Sequence, residues 1–177
     1  TSGRITYLGA TNNAANRTLT IAVTDANGGT ASNTATITFA AANDAPTLTS
    51  ANTLTGATED TAFTINYATL AAATDEADVD GDTLSFRIEA VSTGTLTKGG
   101  SAVTAGTTTL GTGESLVWTP AQDANGTLNA FTIKAHDGTT TSASEVQVQV
   151  TVAAVNDAPT LTSVSALTGA TEDTAFT

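Results

Sequence analysis

The side chains of this chain that could do chemistry are carboxylates and amides, and they are concentrated in short acidic turns. One loop places Asp78, Asp80 and Asp82 around Gly81. Crowded carboxylates repel one another unless a cation lies between them, and hard Ca²⁺ takes about six to eight oxygen ligands of these types. We therefore expect calcium. The predicted metal ligands are Asn43, Asp44, Glu59, Asp60, Asp78, Asp80, Asp82, Asp123, Asp137, Asn156 and Asp157.

The same acidic turns have a simpler explanation, which stays open. AspGlyAsp and AspGly are ordinary turn sequences, and Asp and Asn side chains cap turns without any metal. An EF-hand is excluded, because counting position one at Glu76 puts Arg87 where the bidentate Glu must stand. A calcium site in this loop would therefore belong to another class.

Candidates for catalysis are few. His136 is the only histidine and lies beside a loop, which favours a surface or packing role over catalysis or zinc binding. Trp118 could stack on a sugar, but its place in an alternating strand favours packing in the core. The chain has no Ser/His/Asp order, histidine cluster or phosphate-cradling loop. We predict that it is not an enzyme.

Composition excludes two classes of partner. The formal net charge is −12 and only 5 residues are Lys or Arg, whereas binding to nucleic acid needs clustered cations. No apolar run approaches the length of a transmembrane helix, so this segment is not expected to insert into a membrane. The absence of Cys excludes a disulfide framework and thiolate metal sites.

A repeated segment organises the chain. Residues 43–64 and 156–177 differ at only three positions, and the two copies are separated by the length of one small domain. Near-identity at such a period indicates a tandem array of structural modules. We predict that residues 1–42 are the C-terminal part of one repeat, 43–155 a complete repeat, and 156–177 the N-terminal part of the next.

Apolar and polar residues alternate at period two in the middle repeat, whereas no stretch keeps a helical period. We expect about seven short strands there, including one after Pro46 and a hairpin around 95–104. This count and spacing predict an all-β fold of tandem immunoglobulin-like β-sandwiches. The residues expected in the core are Phe63, Leu84, Phe86, Ile88, Trp118, Phe131 and Ile133.

The strand order of such a sandwich predicts which acids share an end. The end at which the chain enters, called the top, gathers Asn43, Asp44, the 75–82 loop and Asp137. The bottom, beside the exit linker, gathers Glu59, Asp60, Asp123, Asn156 and Asp157. Stacked repeats place the bottom of one against the top of the next, so calcium is expected to bridge successive repeats and to stiffen the chain.

Five motifs follow one another at domain spacing: AsnAspAlaPro at 43–46, ThrGluAspThr at 58–61, AspValAspGlyAspThrLeu at 78–84, TrpThrPro at 118–120 and AspGly at 137–138. Together they resemble the cadherin-like, immunoglobulin-like tandem repeats of very large bacterial surface adhesins. The resemblance implies an extracellular or cell-surface protein of adhesion or biofilm matrix, with calcium at the junctions between repeats.

The first repeat departs from this pattern. Gly9-Ala10-Thr11-Asn12-Asn13 stands where the second repeat has Pro120-Ala121-Gln122-Asp123. A carboxylate is therefore missing from the ligand set expected at the first junction.

The leading hypothesis is a non-catalytic spacer repeat of a large extracellular adhesin or matrix protein, whose partners are the neighbouring repeats of the same polypeptide. One alternative is a segment of an extracellular filament, assembled with other copies through domain or strand contacts. A long Val146–Val152 strand at a sheet edge would favour such association unless it is paired. A second alternative is a module that binds a glycan or a cell-surface protein.

Overall fold

The structure is a computed structural model, and it describes residues 6–175. In that part of the chain the elements, in order, are β1 (Arg17–Thr24), β2 (Thr30–Ile37), β3 (Leu54–Thr58), β4 (Phe63–Asn66), α1 (Tyr67–Ala73), β5 (Ser85–Val91), β6 (Thr95–Lys98), β7 (Ser101–Ala102), β8 (Thr109–Leu110), β9 (Ser115–Thr119), β10 (Gly126–His136) and β11 (Val146–Ala153).

The middle of the chain forms two sheets around one core. The five-stranded sheet has the order β3-β11-β10-β5-β8, and the four-stranded sheet has the order β4-β9-β6-β7. Phe86, Phe131 and Val148 of the first sheet join Ile65 and Trp118 of the second in a single buried cluster. The prediction of an all-β sandwich is therefore confirmed, although the two sheets contain nine strands instead of about seven.

Five of the seven predicted core residues have no exposed surface: Phe86, Ile88, Trp118, Phe131 and Ile133. The indole Nε1–H of Trp118 donates to the carbonyl of Thr93 at 2.8 Å, so both the ring and its N–H have their partners inside the domain. Phe63 and Leu84 are only half-buried. Phe63 lies on the edge strand β4, and Leu84 precedes β5 at the end of the acidic loop.

The helix α1 contradicts the expectation that no helix would form. Asn66 caps it, because its side-chain oxygen accepts from the N–H of Thr69 at 2.8 Å. Only Leu70 of the helix is buried. One buried residue in seven leaves no apolar periodicity to detect, while the alanines favour the helix through their low side-chain entropy.

Two strand assignments also differ from expectation. The segment after Pro46 forms only the isolated bridges Thr47↔Ala77 and Ala51↔Thr74. The strand β3 was not predicted, and it pairs in parallel with β11. Because β11 lies between β3 and β10, the Val146–Val152 strand is paired on both sides and is not an edge.

The two flanking segments contain less structure. β1 and β2 form an antiparallel hairpin, a separate two-stranded sheet. Residues 156–175 form no strand. The division of the chain into repeats at 1–42, 43–155 and 156–177 stays a prediction.

Candidate metal centres

The top cluster is built by the loop between α1 and β5. Oxygens of Asp78, Asp80 and Asp82 lie within 4.8 Å of one another. Oδ1 of Asp78 accepts from the N–H of Asp80 at 2.8 Å and from the N–H of Asp82 at 3.3 Å, which closes the loop on itself. Gly81 has a φ of +80°, in the region that favours glycine, and so allows the tight turn.

The linker residue Asp44 joins this cluster through its backbone. Its N–H donates to Oδ2 of Asp80 at 2.7 Å. The predicted contact between the entry linker and the acidic loop is thus made by a main-chain group, and Asp44 also lines the cleft at the first junction.

Asp137 contacts Asn43 and is not among the three clustered carboxylates. The Asn43 amide donates to Oδ2 of Asp137 at 2.9 Å. The N–H groups of Thr139 and Thr140 each donate to Oδ1 at 2.6 Å. The Asn43 amide first, and then these backbone groups, hold the pKa of Asp137 well below its ordinary value. Its main visible role is to cap its own turn and to hold the linker.

The bottom cluster contains Asp60, Asp123 and Asp157, whose oxygens lie within 4.8 Å of one another. Oδ1 of Asp60 accepts from the N–H of Asp123 at 3.0 Å. Asp60 and Asp123 have φ values of +57° and +59°, a left-handed conformation that Asp adopts more readily than most residues. The side chain of Asn156 adds no carboxylate, and its amide donates to the carbonyl of Asp157 at 3.2 Å.

Glu59 is buried beneath this cluster, with only 3% of its surface exposed. Its Oε2 accepts from the Asn125 amide at 2.8 Å, and its Oε1 accepts from the N–H of Val155 at 2.5 Å. Glu59 therefore attaches the exit linker to the domain. Asn125 was missed in the sequence because a single Asn in a turn gives no signal of such a contact.

The negative charges of the bottom cluster repel one another. The pKa of Asp157 is raised above its ordinary value by partial desolvation and then by the negative charge of the neighbouring acids, Asp123 first. A carboxylate that is harder to ionise than usual is one that a cation would stabilise.

Asp75 was predicted to be part of the acidic loop but has a distinct role. Its Oδ1 accepts from the N–H groups of Thr49 and Ser50, each at 2.9 Å, and its Oδ2 accepts from the Thr49 hydroxyl. The Thr49 hydroxyl first, with the two N–H groups, lowers the pKa of Asp75 well below its ordinary value. Asp75 thus anchors the segment after Pro46, which has no strand pairing of its own.

Both clusters fit a hard cation by the chemistry of their donors. At the top, Oδ2 of Asp78 is buried and has no hydrogen-bond partner. A buried carboxylate oxygen without a partner is costly, and a cation would satisfy it. At the bottom, all the clustered donors are carboxylate oxygens, the ligand type that Ca²⁺ prefers over softer metals.

A cleft of about 260 Å³ lies at the first junction, and its lining includes Asn12, Asn13, Asp44 and Asp80. Asn12 has a φ of +54°, close to that of Asp123. It therefore occupies the same kind of turn with an amide in place of the carboxylate.

Residues 42–153 match the family model of the cadherin-like domain. The chain belongs to the cadherin-like domain family. Such domains are structural or adhesion modules, typically without catalysis, and they generally bind calcium. The family also suggests an extracellular module. Within residues 6–175, no helix is long and apolar enough to cross a membrane.

Comparison with other proteins adds little beyond the family. A search of curated proteins found no relative of the chain. Among solved structures, an endo-fucoidan hydrolase of glycoside hydrolase family 107 is similar at 19% identity and a TM-score of 0.39. The match covers 81% of this chain but only 19% of the hydrolase. A likeness at this level carries no argument about function.

Proposed function

We propose that this chain is a non-catalytic spacer of tandem repeats in a large extracellular adhesin or matrix protein, stiffened by calcium at the junctions between repeats. The observation that carries the proposal concerns the Asp of AsnAspAlaPro, which occurs in two copies. One copy of this Asp lies at a bottom cluster, and the other lies at a top cluster. Asp157 contributes its carboxylate to the bottom cluster of the repeat that precedes it. Asp44, its counterpart in the other copy of AsnAspAlaPro, donates its N–H to the top cluster of the repeat that follows.

The two copies of the linker therefore contact opposite ends of the middle domain. In an array, each such Asp would connect the bottom cluster of one repeat with the top cluster of the next. Calcium at this position would neutralise carboxylates from both repeats. Asp60, Asp123 and Asp157 would hold it at the bottom, and Asp78, Asp80 and Asp82 at the top. Fixing both sides of a short linker removes its rotational freedom, which makes a jointed chain stiffer.

The domain body is suited to a spacer. Its two sheets enclose a continuous apolar core, and within the described residues the clustered acids lie at the linkers. A binding module for a glycan or a cell-surface protein remains an alternative, and it makes no use of acids at the joints.

The test is hydrogen–deuterium exchange of the whole chain in calcium, in magnesium and in EDTA, read at the amides around Val155 and around Asp44. We expect calcium-specific protection at both linkers. The variant Asp60→Asn/Asp123→Asn should lose the protection at Val155, while Glu145→Gln, an exposed acid outside both clusters, should keep it.

Equal exchange at both linkers in calcium and in EDTA would sink the proposal. The acids would then act as turn formers, and the binding-module alternative would be preferred. Calcium protection at Val155 that survives in the double variant would place the metal outside the bottom cluster.

A further inference from the structure

The first and the last strand of the middle domain, β3 and β11, lie side by side. They pair in parallel over three register positions, from Leu54 opposite Val150 to Thr58 opposite Ala153. The entry linker leads to the start of β3, and the exit linker begins at the end of β11. Because parallel strands run in the same direction, the chain enters at one end of this pair and leaves at the other.

This arrangement decides how the pair responds to tension. A load on the two linkers pulls β3 by its first residue and β11 by its last residue, in opposite directions along the strands. The evenly spaced hydrogen bonds of the parallel pair are then stretched together. A load that acted on the same end of both strands would break the bonds one after another, so it would separate the strands at a lower force.

Glu59 extends the pair beyond the end of β3. Its N–H donates to the carbonyl of Ala153 at 3.0 Å, which continues the backbone pairing by one bond. The N–H of Val155 then donates to Oε1 of the Glu59 side chain at 2.5 Å. The carboxylate thus accepts the last hydrogen bond between the two ends of the domain, at the point where the chain leaves it.

The surroundings of Glu59 hold this contact in place. The residue is only 3% exposed, and its second oxygen accepts from the Asn125 amide at 2.8 Å. Asn125 directly precedes β10, the strand that pairs with the other edge of β11. Glu59 is therefore fixed from two sides and largely shielded from water, which would otherwise compete for its hydrogen bonds.

We propose that β3, β11 and Glu59 form a clamp that bears tension passed along the chain, and that Glu59 closes the clamp where the load leaves the domain. The inference rests on the proposed function for the source of the load, since a spacer in an array is pulled through its linkers. The contacts of the clamp lie within the middle domain, and they are made without a metal ion.

The test is single-molecule force spectroscopy in EDTA with two directions of pulling. The chain has no Cys, so introduced thiols define the points of attachment. Ala42→Cys/Val155→Cys loads the clamp from its opposite ends. Ala42→Cys/Glu145→Cys loads β3 and β11 from the same end, because Glu145 directly precedes β11. All three positions are exposed, and the contacts of residues 43–53 lie in both load paths and cancel in the comparison.

We expect the rupture force through Val155 to be roughly three times the force through Glu145, since three register positions share the load in the first case and one bears it in the second. Glu59→Ala should lower the force through Val155 by about a quarter, because one of about four load-sharing contacts is lost. It should leave the force through Glu145 unchanged, since Glu59 lies at the end of the pair that separates last. A general loss of stability would lower both forces, because forced unfolding follows the unfolding rate.

Glu114→Ala is the matched control, since Glu114 contacts Lys98 and Gly111 and takes no part in the clamp. It should keep both forces, and the near-ultraviolet signal of buried Trp118 checks that each variant is folded. Equal rupture forces in the two directions would overturn the clamp. An equal decrease of both forces in Glu59→Ala would overturn the role of Glu59. Because these forces are measured in EDTA, they do not depend on the calcium protection that tests the proposed function, and either result can fail without the other.

Discussion

Asp82→Asn should change stability with opposite signs in the absence and presence of calcium. Asp82 is exposed, and its side chain makes no hydrogen bond in the described structure, so the isosteric change removes a charge and a metal ligand but no other contact. Its carboxylate has two acidic neighbours, Asp78 and Asp80, within 4.8 Å.

The size of the effect in EDTA comes from the lost repulsion. Two unit charges 4.8 Å apart repel by about 0.9 kcal/mol in water. Physiological salt reduces the sum over two neighbours to about 1 kcal/mol. A domain of this size gains about 4 °C in Tm per kcal/mol, so the variant should melt about 4 °C above the wild type in EDTA.

In calcium the order should reverse. A cation present at a hundred times its Kd stabilises the folded wild type by about 2.7 kcal/mol. A variant that cannot bind calcium gains only the roughly 1 kcal/mol from the lost repulsion. It should therefore melt about 7 °C below the calcium-bound wild type.

The assay is a thermal melt followed by circular dichroism, with magnesium as the control ion. Glu145→Gln is the matched charge-removal control, and its Tm relative to the wild type should be the same in both conditions. A shift of Asp82→Asn that is equal in calcium and in EDTA would refute the assignment of this loop to calcium.

Two further predictions concern the acids that hold the linkers. Glu59→Ala leaves the Asn125 amide and the Val155 N–H without their buried acceptor, so it should lower the free energy of unfolding by about 1–3 kcal/mol in a urea titration, whereas Glu145→Ala should have little effect. Asp75 has a lowered pKa in the folded state, so its contribution to stability is present above pH 4 or so and is lost as the pH falls towards the folded pKa. Asp75→Asn should therefore flatten the decline of Tm below about pH 4, and an unchanged decline would show that other carboxylates cause it.

Part of the candidate site could be read from the sequence because its residues are local. Asp78, Asp80 and Asp82 are close in the chain, so any turn there brings them together, and they form one cluster. Asp60, Asp123 and Asp157 are distant in the chain, and only the order of strands in the assumed sandwich linked them. Whether either cluster binds a metal stays a prediction.

The sequence by itself determined the repeat, the all-β class and most of the core, since alternation along a strand dictates which side chains face inward. The tertiary structure alone decided the features with no local pattern. The parallel pairing of β3 with β11 joins the first and the last strand of the middle domain in chain order. Asp75 and Glu59 accept hydrogen bonds from backbone N–H groups. The alternation of apolar and polar residues does not predict such contacts. Oδ2 of Asp78 is buried without a hydrogen-bond partner, and its burial depends on the atoms that pack around it in the fold. Periodicity reports the face of an element, whereas these contacts depend on which elements meet in space.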